Sequence, residues 1–152
     1  MVFEDLFRKS AGRPVLFKGK LISLMDCFRV PLGESAIQFR FVSTNSEWRQ
    51  GIGLSAEKGL RFGRARKLLK SVVLWEDTAL QAGEFLCKSK TGDIEVKNEW
   101  DTGEGVIESW HNGAAMWVEE IPDGRRYHCN DGHPDENFDD IIFELTILKE
   151  SH

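Results

Sequence analysis

Short apolar runs recur about every ten residues along most of this 152-residue chain, and polar turns containing glycine separate many of them. That punctuation leaves no room for a long helix beyond the first dozen residues, and it constrains the fold more than any other feature. Ile37, Phe39 and Phe41 alternate with Gln38 and Arg40, the period of a strand with one face in a core. Strand-like runs also cover 15–22, 68–75, 84–89, 93–100, 106–110, 114–121, 125–129 and 141–148. Lys90-Thr91-Gly92-Asp93, His111-Asn112-Gly113 and Pro122-Asp123-Gly124 place a glycine after polar residues, where hairpins need a positive φ. Residues 114–118 are apolar on both faces and predict a central strand. Gly59 and Gly63 make 56–69 a loop or a poor helix. Only the start of the chain has helical spacing: Val2, Phe3, Leu6 and Phe7 share one face, and Gly12 and Pro14 stop the run. The expected fold is all-β, a jelly-roll-like antiparallel β-sandwich over 14–150 with a short N-terminal helix over 1–12, in a single domain of 1–152.

Composition narrows the function. No apolar run approaches the roughly 18 residues of a membrane span. Glu4, Asp5, Arg8 and Lys9 interrupt the first ten residues, so no secretory signal is read there and a cytoplasmic location is expected. Cys27, Cys87 and Cys129 lie far apart with no C-x-x-C pair, and they read as reduced, buried small hydrophobes. The net charge of −5 conceals an asymmetry: residues 1–70 carry 14 Lys and Arg against 6 acids, and residues 71–152 carry 6 against 19. Two faces of opposite sign, or an internal match between the halves, would follow. Arg61, Arg64, Arg66 and Lys67 form a candidate anion patch within a basic segment that runs from Lys58 to Lys70. One interleaved aromatic, Phe62, and a pI near 5.4 argue against nucleic acid as its partner.

The densest chemistry lies between Asn130 and Asp140, where Asp131, Asp135, Glu136, Asn137, Asp139 and Asp140 precede an apolar strand. Several carboxylates held a few ångström apart repel one another, and a cation removes that conflict. Calcium, which takes six to eight hard oxygens in irregular geometry, suits the set better than zinc or magnesium. Asp135-x-Asn137-x-Asp139 has the spacing that opens an EF-hand, but Asp140 and Thr146 stand where its glycine and last glutamate belong. The same residues also fit a solvated loop, a loop whose acids face the basic Lys58–Lys70 segment, or an acidic surface for a protein.

Asp131-Gly132 followed by Asp135-x-Asn137-Phe138-Asp139-Asp140 and an apolar strand resembles the acidic calcium loop of small bacterial fucose- and mannose-binding lectins. With Phe143-x-Leu145-x-Ile147, the segment 130–148 is likewise similar to the calcium loop and final strand of bacterial galactophilic lectins. The resemblance implies a β-sandwich in which Asp131, Asp135, Asn137, Asp139 and Asp140 hold Ca²⁺ and the ion takes two sugar hydroxyls directly. Trp110, His111, Asn112 and His133 are the candidate ligand contacts beside it. Trp100, Trp110 and Trp117 offer flat faces for a sugar ring or for core packing. No nucleophile elbow, carboxylate pair or phosphate loop points to an enzyme. The expectation is a small-ligand-binding protein for a sugar or other small polar ligand. The alternative is a protein-interaction module, toxin-neutralising or regulatory, whose acidic second half docks a basic protein.

Overall fold

A computed structural model describes residues 2–103, 107–108, 114–131 and 137–148. One short helix, α1 (Val2–Lys9), precedes twelve strands. In chain order these are β1 (Val15–Phe17), β2 (Lys20–Ser23), β3 (Asp26–Arg29), β4 (Gly33–Thr44), β5 (Arg49–Phe62) and β6 (Leu69–Trp75). They continue as β7 (Ala82–Ser89), β8 (Asp93–Asp101), β9 (Ile107–Glu108), β10 (Ala115–Ile121), β11 (Gly124–Asn130) and β12 (Ile141–Ile147). The all-β reading with a short N-terminal helix holds.

The helix ends as its sequence requires. Gly12 N–H donates to Phe7 O at 2.8 Å and Ala11 N–H to Arg8 O at 3.3 Å, with Ala11 at φ 56° and Gly12 at φ 80°, a Schellman closure. Phe3 and Phe7 then pack with Ile22, Ala115 and Phe138 on the outer face of the sheet.

The layers of the expected sandwich are joined in one antiparallel path, β1-β2-β10-β11-β12-β4-β7-β5-β8-β3, with β6 on β5 and β9 on β8. The reason lies in β5. Residues 51–55 lie between β6 and β8, whereas 59–62 pair with β7, and the register against β6 jumps between Ser55 and Leu60. A strand bent in this way passes from one layer to the other, the usual device by which a sheet folds over itself. The segment read as loop or poor helix is therefore the second half of β5, a turn and the start of β6. The Glu57 carboxylate of the bulge accepts the Lys90 and Thr91 N–H groups, which ties it to the β7–β8 turn.

Folding over brings β3 onto β11. Asp26 takes both its oxygens to the Arg125 guanidinium, at 2.9 and 2.8 Å, and accepts the Tyr127 hydroxyl at 2.8 Å. Between the layers lie Ile37, Phe39, Ile52, Leu54, Leu60, Phe85, Val96, Met116, Tyr127 and Phe143. Cys87 and Cys129 are buried among them, as expected, and burial pushes the Cys87 thiol up to about 11 and Cys129 upward as well, so both stay protonated. Cys27 departs from expectation: it is exposed on β3.

The β10–β11 hairpin turns where expected, but its glycine has a different duty. Asp123, at φ 60°, takes the left-handed position. Gly124 is needed because a Cβ there would lie 2.0 Å from Leu145 O across the ladder. Among the described residues no helix is long and apolar enough to cross a membrane.

Candidate functional site

Inward positions of strands normally carry apolar side chains, so a polar one there must find partners. On β8 the inward series Ile94, Val96, Trp100 is broken by Asn98, which is buried and donates to Asn130 O at 2.8 Å. That bond marks a polar cluster where β11 ends, β12 begins and the β4–β5 loop passes. Asp131 is fully buried, and its Oδ2 accepts Ser46 Oγ at 2.5 Å and Gln50 Nε2 at 2.8 Å. The Asp131 N–H donates to Asp140 Oδ2 at 2.9 Å, so one buried carboxylate anchors the backbone beside the other. Asn130 Oδ1 accepts Phe138 N–H at 2.6 Å, which seats Phe138 at φ 55° against Phe3. Asn45 binds both neighbours: its Nδ2 donates to Asp139 Oδ2 at 3.0 Å and its N–H to Asp140 O at 3.1 Å.

The acids expected to hold calcium are thus distributed as follows. Asp131 and Asp140 turn inward, Asp139 is half-buried and Asn137 is exposed. Asp135 and His133, with Trp110, His111 and Asn112, lie outside the described residues. Among the described residues no group of three or more His, Cys, Asp or Glu is placed to share a metal ion. Two acceptors in the cluster are nevertheless buried with no donor among the described residues, Gln50 Oε1 and Asp139 Oδ1. Gln50 spends its amide N–H groups on Asp131 and on Trp48 O, so its oxygen is the atom left over.

Sequence reasoning missed Asn45, Ser46, Gln50 and Asn98, and it named Asn130 only as the start of the acidic segment. Only Asn98 had a local signal, its inward phase between Val96 and Trp100. The basic segment does not meet these acids: Arg61 reaches Glu34 at 4.0 Å, and Arg64, Arg66 and Lys67 are exposed on the turn between β5 and β6. Trp100 is core, 1% exposed and stacked on Trp48, and offers no open face. Trp117 stacks on His128 with centroids 4.3 Å apart and carries the Lys20 ammonium 4.2 Å from its ring.

Beyond that stack the outer face carries a ladder of charge across four strands. Glu144 bridges Arg40 at 3.1 Å and Arg126 at 2.7 Å, and Glu119 accepts from Arg126 at 3.2 Å and pairs with His128 at 3.0 Å. Burial pushes the Glu144 carboxyl up, but hydrogen bonds and charge from Arg40 and Arg126 outweigh it and hold the pKa below the ordinary 4.5. Removing that charge strands two guanidinium groups. Glu144→Gln is expected to lose about 2–3 kcal/mol at neutral pH. Because the folded pKa is depressed, this contribution is fully present above pH 4.5 and fades as pH falls through the folded value. Thermal unfolding of both proteins between pH 7 and pH 3 checks this: the two curves should converge in acid, and a constant gap would refute the assignment.

No family model, curated protein or solved structure matches the chain.

Proposed function

We propose that the protein is a binding protein rather than an enzyme, and that the Asp131–Asp140 loop takes a divalent cation through which a small polar ligand is held. Calcium is the cation whose chemistry fits best, because the cluster offers hard oxygens of carboxylate and amide type and no soft donor. One observation carries the reading: Gln50 Oε1 and Asp139 Oδ1 are buried acceptors with no donor among the described residues, in a cluster that already holds Asp131 and Asp140. Buried oxygens without donors are costly unless a water or a cation faces them. Asp139 and Gln50 would hold the ion, with Asn137, Asp131 and Asp140 nearby in the same loop. A sugar with neighbouring hydroxyls is the ligand class, which rests on the lectin resemblance of residues 130–148.

The protein-interaction alternative through the acidic second half has less support at this loop, since Asp131 and Asp140 are buried and Asp131 binds Ser46 and Gln50 rather than facing a partner.

Calcium titration with a thermal-shift readout tests the proposal. At 100 times Kd the ion is expected to add about 2.7 kcal/mol, roughly 5–11 °C for a chain of this size. Asp139→Asn should weaken that shift while leaving the calcium-free unfolding temperature close to that of the parent. Absence of any change on adding calcium or on chelation would retire the cation, and calorimetry with fucose, mannose and galactose in saturating calcium then tests the sugar.

A further inference from the structure

The β5–β6 hairpin has chemistry that the polar cluster does not use. Among the described residues β6 pairs with β5 alone, so its far side is an open edge. The Glu76 N–H donates to Gln50 O at 3.0 Å, which puts Leu74 and Val72 in phase with it and turns the backbone N–H and C=O of Ser71 and Val73 and the N–H of Trp75 outward, while the Trp75 C=O is taken by the Thr78 and Ala79 N–H groups. An outward row of this length is a template for another strand unless proline, a bulge or a cover blunts it. β6 contains no proline, and its residues Leu69 to Ser71 are exposed. The opposite end of the sheet, β1, is only three residues long.

The charges flanking β6 identify what fits. Arg64, Arg66, Lys67 and Lys70 lie before or at its start, exposed and without a carboxylate in ion-pair range among the described residues. Glu76, exposed, and Asp77, held by Arg49 at 2.8 Å, follow its end. An antiparallel copy of the same strand reverses that order. Pairing about Val72 sets Leu69 opposite the other Trp75, and the basic start of each β6 beside the acidic end of its mate. The register also keeps the outward-facing side chains of both sheets on one side, since opposed residues share a face.

We propose that the partner of this edge is a second copy of the chain, joined by antiparallel β6–β6 pairing in a two-fold dimer that continues the sheet across the interface. This is independent of the cation reading and uses none of its side chains.

Sedimentation velocity over a range of concentrations at low and high salt tests it with the full chain. The parent is expected to dimerise, more weakly as salt rises. Glu76→Lys, and separately Lys67→Glu with Lys70→Glu, should each raise the dimer dissociation constant more than tenfold, because like charges then meet at both ends of the interface. Combining the three substitutions restores opposite signs at both ends and should return the dissociation constant to within a few-fold of the parent. All these side chains are exposed, and circular dichroism confirms folding of each variant. A monomeric parent at every concentration, a dimer indifferent to the single-sign variants, or a combined variant that fails to recover would each overturn the proposal.

Discussion

Gly124→Ala is expected to destabilise the protein by at least about 3 kcal/mol, at the upper end of overpacking effects, and to lower the unfolding temperature by roughly 6–12 °C. The added Cβ would sit 2.0 Å from Leu145 O and 2.8 Å from Thr146 Cα, both backbone atoms with no rotamer through which to withdraw. Gly124 pairs directly with Thr146, and Ile147 N–H donates to Asp123 O at 2.8 Å, so relief requires β11 and β12 to part at this end. Those strands carry Tyr127, Phe143 and Leu145 into the core. Calorimetric unfolding checks the prediction, and a loss under about 1 kcal/mol would mean that the ladder yields freely. A positive φ is not the cause here, so Gly124 differs from Gly92 at φ 84°. Substitution at Gly92 acts through backbone strain.

Asp131→Ala should lose about 3–5 kcal/mol, the range for removing one member of a buried charged network, or roughly 6–20 °C in unfolding temperature. Its carboxylate is fully buried and accepts the Ser46 hydroxyl and the Gln50 amide. Alanine takes this acceptor away from the buried Gln50 amide and from the half-buried Ser46 hydroxyl. Asp131→Asn keeps the volume and one acceptor oxygen but turns an amide N–H toward one of the same donors, so it should recover only part of the loss. Denaturant unfolding of the three proteins gives the order parent, Asn, Ala. If alanine proves as stable as the parent, the cluster does not hold the β4–β5 loop to the end of β11.

Much of the architecture can be read locally. The aromatic face of α1 and the Pro122–Gly124 turn follow from spacing and turn chemistry within a few residues. The alternation at Ile37, Phe39 and Phe41 predicts which side chains reach the core, and all three are buried. β5 was hidden for a physical reason. Gly51 and Gly53 look like loop residues, yet a Cβ at Gly51 would meet Trp75 at 2.9 Å and one at Gly53 would meet Glu99 at 2.5 Å. A strand whose outer surface is covered by its neighbours' side chains needs none of its own there, and only the neighbours reveal that.

The acidic loop divides in the same way. Period-two alternation, turn residues and the concentration of Asp and Asn before β12 are properties of adjacent residues, and from them the sequence alone determined an all-β chain with its densest polar chemistry at 130–140. Tertiary structure decided which way those acids face. Asp131 turns inward because its donors, Ser46 of the β4–β5 loop and Gln50 at the start of β5, arrive from 85 and 81 positions away along the chain. A carboxylate can leave water only where such donors replace its hydration, and no local pattern states where the fold will bring them.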